Sequence, residues 1–205
     1  MMGYDNFVII LSSPSGAGKS TITKRLLECD DKIKLSVSAT TRNPREGEVD
    51  GIHYYFFNRE NFEEKIKSNS FVEYAKVFDN YYGTLKSEIE NKFNNGNDII
   101  LDIDWQGARQ VSKQFDSKNL IKIFILPPSL AELENRLRTR GKDSEEVIQN
   151  RMSRAKDEIS HFGEYDFVVV NDDIERVLDQ VKALITAKRL TNVKQGALEK
   201  FIKNL

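Results

Sequence analysis

The segment SSPSGAGKST, residues 12–21, continues from the uncharged run FVIILS and ends in the pattern Gly-Ala-Gly-Lys-Ser-Thr. This pattern matches the end of the P-loop motif, in which a strand leads into a glycine-rich turn and then a helix. Glycines let successive backbone N–H groups point inward, and the start of the helix adds its positive dipole end. The segment therefore predicts a cradle for nucleotide phosphates, with Lys19 at the outer phosphates and the Ser20 hydroxyl on Mg²⁺.

One residue departs from the strict P-loop pattern. The pattern has its first glycine where this chain has Ser13, which weakens the formal match without removing the cradle. The alternative is a glycine-containing turn that binds nothing. The apolar run before the turn and the segment TITKRLLE after it favour the phosphate-binding interpretation.

The composition excludes several classes of protein. The chain has 205 residues, and its 31 basic and 32 acidic residues give a net charge of −1, so no overall field favours a nucleic acid or a membrane as partner. Cys29 is the single cysteine, and His53 and His161 are far apart without cysteines nearby, which argues against disulfides and against a structural zinc site. No segment resembles a signal peptide. We expect a cytoplasmic protein.

Short apolar segments alternate with segments of helical periodicity. The apolar segments are residues 7–11, 98–103, 120–126 and 167–170, and the clearest helices are SLAELENRLRTR, SEEVIQNRMSRAKDEI and DDIERVLDQVKALITAKRL. Ser129 and Ser144 are candidate caps of the first two helices. Uninterrupted apolar strands between helices indicate a parallel sheet covered on both faces, and therefore an α/β protein.

Residues 36–97 interrupt this alternation. They are rich in Thr, Tyr, Phe and turn residues, which favours short antiparallel strands around one helix, NFEEKIKSN. We interpret residues 36–97 as an inserted binding lobe and residues 1–35 and 98–205 as the core domain. The order of the final segment, TNVKQGALEKFIKNL, is not predicted.

Two arginines at the start of this lobe indicate an anion site. Pro44 stiffens the loop between Arg42 and Arg45, so two guanidinium groups can be held at a separation that suits a monophosphate. Plain surface charges are the alternative. Hydroxyl groups in the same lobe favour a site, and they belong to Ser38, Tyr54, Tyr81, Tyr82 and Thr84.

Glu73 lies in the otherwise apolar stretch FVEYA. A carboxylate in that setting is costly unless it finds donors, and guanine offers two adjacent ones, N1–H and the exocyclic amine. Adenine offers no such pair, so Glu73 would select guanine. The alternative is an edge-strand residue that faces water.

Two acids end the apolar segment in LDIDWQG. Asp102 and Asp104 share one face at the carboxyl edge of the predicted sheet, where acids can act through Mg²⁺ or hold a substrate group. The residues alone leave open which acid does which, and we take Asp102 as the metal candidate with Ser20. Asp104 can also cap the helix that follows.

A basic group follows the third apolar segment. Arg136 and Arg140 are four residues apart on one helix, and Arg151 and Arg154 are three apart on the next, with Gly141 between the helices. Such a segment suits a lid whose arginines stabilise charge during phosphoryl transfer. Helical arginines that form solvated ion pairs with glutamates are the alternative.

Together these segments resemble the guanylate kinase family over nearly the whole chain, with SVSATTRNPREGEVDGIHYYFF as the most specific match. The resemblance implies a nucleoside monophosphate kinase fold, with a five-stranded parallel core sheet flanked by helices, an inserted mixed α+β GMP-binding lobe and a helical lid at about 136–163. It implies transfer of the γ-phosphoryl group of ATP to GMP or dGMP with Mg²⁺. Thr84, where the family more often has serine, keeps the hydroxyl.

The resemblance also implies roles for individual residues. The ATP site would comprise Ser13, Pro14, Ser15, Gly16, Ala17, Gly18, Lys19, Ser20, Thr21, Arg136 and Asn171, with Asn171 near the adenine. The GMP site would comprise Ser38, Arg42, Arg45, Tyr54, Glu73, Tyr82, Thr84 and Asp104. The catalytic set would be Lys19, Arg42, Arg136, Arg140 and Arg151.

Two rival functions stay open at this point. Guanylate-kinase-like domains of membrane-associated scaffolds bind phosphorylated peptides and typically lack a working P-loop, whereas Gly16, Gly18, Lys19 and Ser20 are intact here. A kinase for another monophosphate would differ at Glu73. We expect ATP and GMP as partners, no nucleic acid or membrane, and a monomer or homodimer.

Overall fold

Strands and helices alternate over most of the chain. A computed structural model describes residues 4–77, 79–139 and 144–205, and of Gln195 and Ala197 only the backbone. The strands are β1 (Val8–Ser12), β2 (Ile33–Leu35), β3 (Ala39–Thr40), β4 (Tyr55–Phe56), β5 (Phe71–Val77), β6 (Asn80–Leu85), β7 (Asp98–Asp102), β8 (Leu120–Leu126) and β9 (Phe167–Val170). The α-helices are α1 (Lys19–Cys29), α2 (Arg59–Lys67), α3 (Lys86–Asn94), α4 (Trp105–Ser112), α5 (Leu130–Thr139), α6 (Glu145–Ser160), α7 (Ile174–Thr191) and α8 (Gln195–Ile202).

The main sheet has five strands in the order β2-β7-β1-β8-β9, and all of its pairs are parallel. This confirms the predicted α/β class. Four of the strands agree with the apolar segments of the sequence to within one residue at each end. The fifth strand, β2, was not predicted, because only Ile33 of its three residues is buried and it gives no apolar run.

Helices cover both faces of this sheet. Ile9 and Leu11 of β1 pack in a cluster with α1 and α7, whereas Val8 and Ile10 pack in a second cluster with α3 and α4. All four side chains are fully buried. Double coverage leaves no water-facing side of β1, which explains why this strand carries no charge. It also brings the loop after β1 to the middle of the carboxyl edge of the sheet.

The three long helices predicted from the sequence are confirmed as α5, α6 and α7. Ser129 caps α5 by accepting a hydrogen bond from the Glu132 amide at 3.0 Å, and Ser144 caps α6 by accepting one from the Val147 amide at 3.4 Å. An apolar cluster joins α5 to α6, and it comprises Leu133, Leu137, Ile148, Met152 and Ala155. Helices α5 and α6 therefore pack on each other.

A second sheet, in the order β4-β3-β6-β5, lies within the stretch of unusual composition. Phe62 of α2 packs on it against Ala39, Phe71 and Leu85. The prediction for this stretch was wrong in two respects. Strands β3 and β4 pair in parallel, and α3 follows β6 as a second helix. Ile89 is the one buried apolar side chain of α3, so the sequence gives little periodicity from which to predict it.

The final segment contains α8, a helix that was not predicted from the sequence. Exposed apolar side chains lie along this helix and after it, namely Leu198, Phe201, Ile202 and Leu205. Among the helices of residues 4–77, 79–139 and 144–205, none combines the length and the apolar character needed to cross a bilayer.

A buried ion pair joins α7 to the amino end of the sheet. Asp98, the first residue of β7, is fully buried and accepts hydrogen bonds from the Tyr4 hydroxyl at 2.9 Å and from Nε of Arg189 at 2.8 Å. Arg189 also pairs with Asp30 at 2.5 Å, just after α1. The network thus ties the N-terminal segment, α1, β7 and α7 together.

We predict that Arg189→Met lowers the free energy of unfolding by about 3 kcal/mol, because it leaves the Asp98 carboxylate buried without its cation. Urea denaturation followed by circular dichroism measures the change. Arg176→Met is the matched control on the same helix, since Arg176 pairs with Asp172 at the surface, and it should cost less than about 1 kcal/mol. Similar losses in both variants would contradict the structural role of the buried pair.

Candidate active site

The glycine-rich loop after β1 has the backbone geometry that a phosphate cradle requires. Gly16 and Gly18 have φ values of 98° and 103°, in the left-handed region that other residues rarely adopt. The Ala17 amide donates to the Pro14 carbonyl at 3.1 Å, which tightens the turn. Ser13 donates its hydroxyl hydrogen to the Pro14 carbonyl at 3.0 Å. The loop then enters α1 at Lys19.

Asn171, the residue that follows β9, fixes this loop. Its buried side-chain amide donates to the Ala17 carbonyl at 2.6 Å, and its backbone carbonyl accepts from Arg136 at 3.1 Å. A Cβ on Gly18 would lie 2.2 Å from Nδ2 of Asn171, so glycine is required there for space as well as for φ. Sequence reasoning assigned Asn171 to the adenine; the structure commits its amide nitrogen to the loop.

A cleft of about 660 Å³ opens on this side of the loop. Its lining includes Gly16, Gly18, Thr21, Arg136 and Asn171, all members of the predicted ATP site. Arg136 is held there by Glu132, which accepts a hydrogen bond from its Nε at 2.9 Å. The cleft is large enough for a nucleotide base and ribose.

Lys19 and Asp102 meet at the carboxyl edge of the main sheet. Lys19 begins α1, Asp102 ends β7, and the two side chains form an ion pair in which neither is fully buried. Ser20 follows Lys19 on α1. The arrangement brings the cation of the P-loop into direct contact with the acid that we took as the metal candidate.

A second cleft, of about 220 Å³, lies between the two sheets. Its lining brings together Ser38, Tyr54, Glu73, Tyr82, Asp102 and Asp104. Five of these six belong to the predicted GMP site, and Asp102 also pairs with Lys19. Asp104 also caps α4 by accepting from the Gly107 amide at 2.9 Å, so the alternative explanation for Asp104 holds alongside its place in the cleft.

Glu73 is a buried acid at the wall of this cleft, with 6% of its surface exposed, so it is not the water-facing residue of the alternative interpretation. Burial raises the pKa of Glu73 to about 7, and the nearby Asp104 carboxylate adds to this rise. A hydrogen bond from the Thr84 hydroxyl, 2.7 Å long, opposes it. Gly107 leaves the necessary space, since a Cβ there would lie 3.1 Å from Oε2 of Glu73.

Arg42 is held by an acid that sequence reasoning did not select. Its guanidinium donates to Oε1 of Glu48 at 2.9 Å and lies over the Tyr54 ring. Oε2 of Glu48 accepts from the Arg45 amide at 2.7 Å, and the Arg42 guanidinium lowers the pKa of Glu48. Glu48 could have been selected from the sequence, because it is an acid three residues after Arg45 in the loop that Pro44 stiffens. The Arg45 side chain is exposed.

The basic group divides between two openings. Arg136 lines the 660 Å³ cleft, whereas Arg151 lines a separate cleft of about 460 Å³ between α6 and the P-loop residue Ser15. Arg154 lines the same cleft as Arg151, and Arg140 lies outside the described residues. Arg136 and Arg151 therefore approach the P-loop from different sides.

Comparisons with known proteins agree with this geometry. The sequence model of the guanylate kinase family matches residues 6–188. The guanylate kinase of Rickettsia conorii is 54% identical over 89% of this chain and 79% of its own, and that of Cereibacter sphaeroides is 48% identical over 100% and 97%. The crystal structure of guanylate kinase from Anaplasma phagocytophilum has a TM-score of 0.76 and 35% identity, and the match covers 99% of this chain and 96% of that one. The chain belongs to the guanylate kinase family.

Proposed function

We propose that this chain transfers the γ-phosphoryl group of ATP to GMP in the space between its two sheets. As a guanylate kinase it is an ATP:GMP phosphotransferase. One observation carries the assignment of the site: Asp102 pairs with Lys19 of the P-loop and also lines the cleft that holds Glu73. The loop that cradles phosphates and the cleft with the predicted guanine reader thus meet at one residue.

On the ATP side, we assign the phosphates to the amides of residues 13–21 and to Lys19. The glycine geometry of this loop and the start of α1 support the assignment. We assign the adenine and ribose to the 660 Å³ cleft, where Thr21 and Arg136 contribute polar groups. Asn171 would then act by holding the Ala17 carbonyl and thereby the shape of the loop.

On the GMP side, we assign the guanine to Glu73 and the phosphate to Arg42 and Arg45. Two carboxylate oxygens match the N1–H and amine donors of guanine. Ser38, Tyr54, Tyr82, Thr84 and Asp104 complete the GMP site in this proposal. Glu48 orients the Arg42 guanidinium before the substrate phosphate arrives.

The reaction needs no general base, because the phosphate of GMP is already an anionic nucleophile. The chain's contribution is to align the two phosphates and to stabilise the charge that develops between them. We assign that charge stabilisation to Lys19, Arg42, Arg136 and Arg151, with Arg140 as a further candidate.

The acids and hydroxyls at the P-loop fit Mg²⁺. Among the described residues, no group of three or more His, Cys, Asp and Glu side chains forms a closed metal site. Mg²⁺ in kinases needs less, since it usually takes one or two protein oxygens and completes its shell with phosphates and water. Ser20 and Asp102 would hold the ion, which supplies positive charge at the outer phosphates of ATP.

We interpret residues 136–163 as a lid, residues 36–97 as the GMP-binding lobe and the remainder as the core. Side chains at the C-terminal base of the lid support this division. The Trp105 and His161 rings stack with centroids 3.7 Å apart, and Arg109 donates two hydrogen bonds of 2.6 Å to Glu164. These contacts hold the lid base on α4. We expect the protein to act in the cytoplasm.

We predict ADP production with ATP, Mg²⁺ and GMP, and little or none when AMP, CMP, UMP or dTMP replaces GMP, because only guanine offers Glu73 two adjacent donors. A coupled assay with each nucleotide in turn measures this. Equal rates with GMP and AMP would contradict the role of Glu73. No ADP production with any of the five nucleotides would reject the proposed reaction and favour a phosphopeptide-binding function.

We predict that Glu73→Gln weakens GMP binding by about 100-fold, since two charge-assisted hydrogen bonds are lost. ATP binding should change little, and calorimetric titration of each nucleotide measures both. In the wild type, GMP affinity should fall as the pH drops below about 7, because the carboxylate must be ionised to accept both donors. Glu64→Gln, at an exposed position of α2, is the control. Equal losses for ATP and GMP would argue against guanine reading.

We also predict that Glu73→Gln stabilises the ligand-free protein at high pH. The native pKa of Glu73, about 7, lies above the ordinary value of 4.5, so the wild type loses stability as the pH rises between these values. The free energy of unfolding of the variant relative to the wild type should therefore increase by about 2 kcal/mol from pH 5 to pH 8. Urea titrations at both pH values test this. A difference that does not depend on pH would contradict it.

A further inference from the structure

Glu158 is an acidic side chain of α6 that faces the P-loop. It lines the 460 Å³ cleft together with Ser15 and Arg151. The Ser15 backbone amide and the Lys19 charge both act on its carboxylate and favour the ionised form. Glu158 was not selected as a candidate residue from the sequence, because it lies among other charged residues on an amphipathic helix.

One oxygen of this carboxylate has no partner. Oε2 of Glu158 is buried and accepts no hydrogen bond from any described residue. A buried carboxylate oxygen without a donor is costly, and few such groups occur in native proteins. Burial raises the pKa of Glu158, and the Lys19 charge opposes this rise. The buried carboxylate of Glu158 is therefore unfavourable without a partner, and this cost indicates a functional role for the residue.

Lys19 lies between two acids. It pairs with Asp102, which in the proposed function has a second task at Mg²⁺, and it interacts with Glu158 from the side of α6. An ammonium group has three N–H donors, so a second carboxylate can orient it while phosphates and Asp102 use the others. Glu158 is suited to this because its oxygen Oε2 has no other donor.

We propose that Glu158 is a positioning residue: it holds the Lys19 ammonium at the phosphate cradle and fixes helix α6 to the P-loop through the Ser15 amide. The inference rests on the proposed function of Lys19 and deepens it. It also connects the helix that carries Arg151 to the loop that holds ATP, so that both cations keep a defined separation.

The charge of Glu158 depends on every group that surrounds it. These groups are Lys19 from α1, Asp104 before α4, Asp157 on the same helix, Tyr165 before β9, and Arg151 and Arg154 in the shared cleft. The carboxylate must be ionised to orient Lys19. As the pH falls through the raised pKa of Glu158, this orientation is lost, so Glu158 contributes to the acidic limb of the kcat profile.

The first test compares Glu158→Gln with the wild type. Glutamine keeps an oxygen for the Ser15 amide but has no charge for Lys19, so kcat should fall by about 10- to 100-fold while KM for GMP changes by less than about twofold. The contribution of Glu158 to the acidic limb should disappear from the kcat profile. Glu146→Gln, at an exposed position of the same helix that is not among the groups around Glu158, is the matched control and should keep the wild-type kcat and profile.

The second test uses the nucleotide-free protein and needs no turnover. Hydrogen exchange of the Ser15 amide should accelerate in Glu158→Ala and stay near the wild-type rate in Glu158→Gln, because only alanine removes the acceptor. Urea denaturation of both variants identifies any global loss of stability, which would accelerate exchange throughout the core rather than at residues 15–17.

The outcomes separate the two proposals. A wild-type kcat and profile in Glu158→Gln would overturn the positioning role, and so would a lower kcat with an unchanged acidic limb, which indicates a purely structural effect. Unchanged Ser15 exchange in Glu158→Ala would overturn the link between α6 and the P-loop. A wild type that fails to phosphorylate GMP would instead reject the proposed function, and the exchange experiment would still decide the contact with Ser15.

Discussion

The close approach of Asn171 to the P-loop is the contact on which the candidate site depends. Its side-chain amide donates to the Ala17 carbonyl at 2.6 Å and occupies the space that any Cβ at residue 18 would need. Residue 18 must therefore adopt a positive φ and must also leave room for the Asn171 amide, and glycine meets both requirements. Because Asn171 follows β9 and its carbonyl holds Arg136, the end of one strand fixes both the phosphate loop and a cation beside the ATP cleft.

Two buried acids show how the same chemical group serves different purposes. Asp98 is fully buried and accepts hydrogen bonds from Tyr4 and Arg189, so its charge is compensated within the protein. Glu73 is almost as buried but has one side-chain donor, Thr84, and burial raises its pKa to about 7. The first arrangement stabilises the fold. The second leaves hydrogen-bonding capacity for a ligand, and the free energy of the ligand-free protein is higher as a result.

The sequence predicted the elements that depend on local pattern. Strand β1 has an uninterrupted apolar run, helices α5, α6 and α7 have helical apolar periodicity, and the caps at Ser129 and Ser144 are short-range contacts. Strand β2 and helix α3 were missed because each buries a single apolar side chain, so tertiary packing rather than pattern decides their structure. The same limit applies to the site. Spacing in the sequence indicated Arg42 as a site residue. Its pairing with Glu48 and the position of Glu158 near Lys19 are tertiary features that depend on how loops and helices pack, so they were not predicted.

Three of the cations assigned to the candidate site are already paired with acids of the chain. Lys19 contacts Asp102, Arg42 contacts Glu48 and Arg136 contacts Glu132. These pairs hold the cations in place, so little side-chain entropy is lost when an anion binds. In the proposed reaction the phosphates must compete with these acids, which weakens ground-state binding of singly charged anions. In the transition state the charge is spread over the equatorial oxygens of the transferring phosphoryl group, and cations that are preorganised at these atoms therefore favour the transition state over the separate substrates.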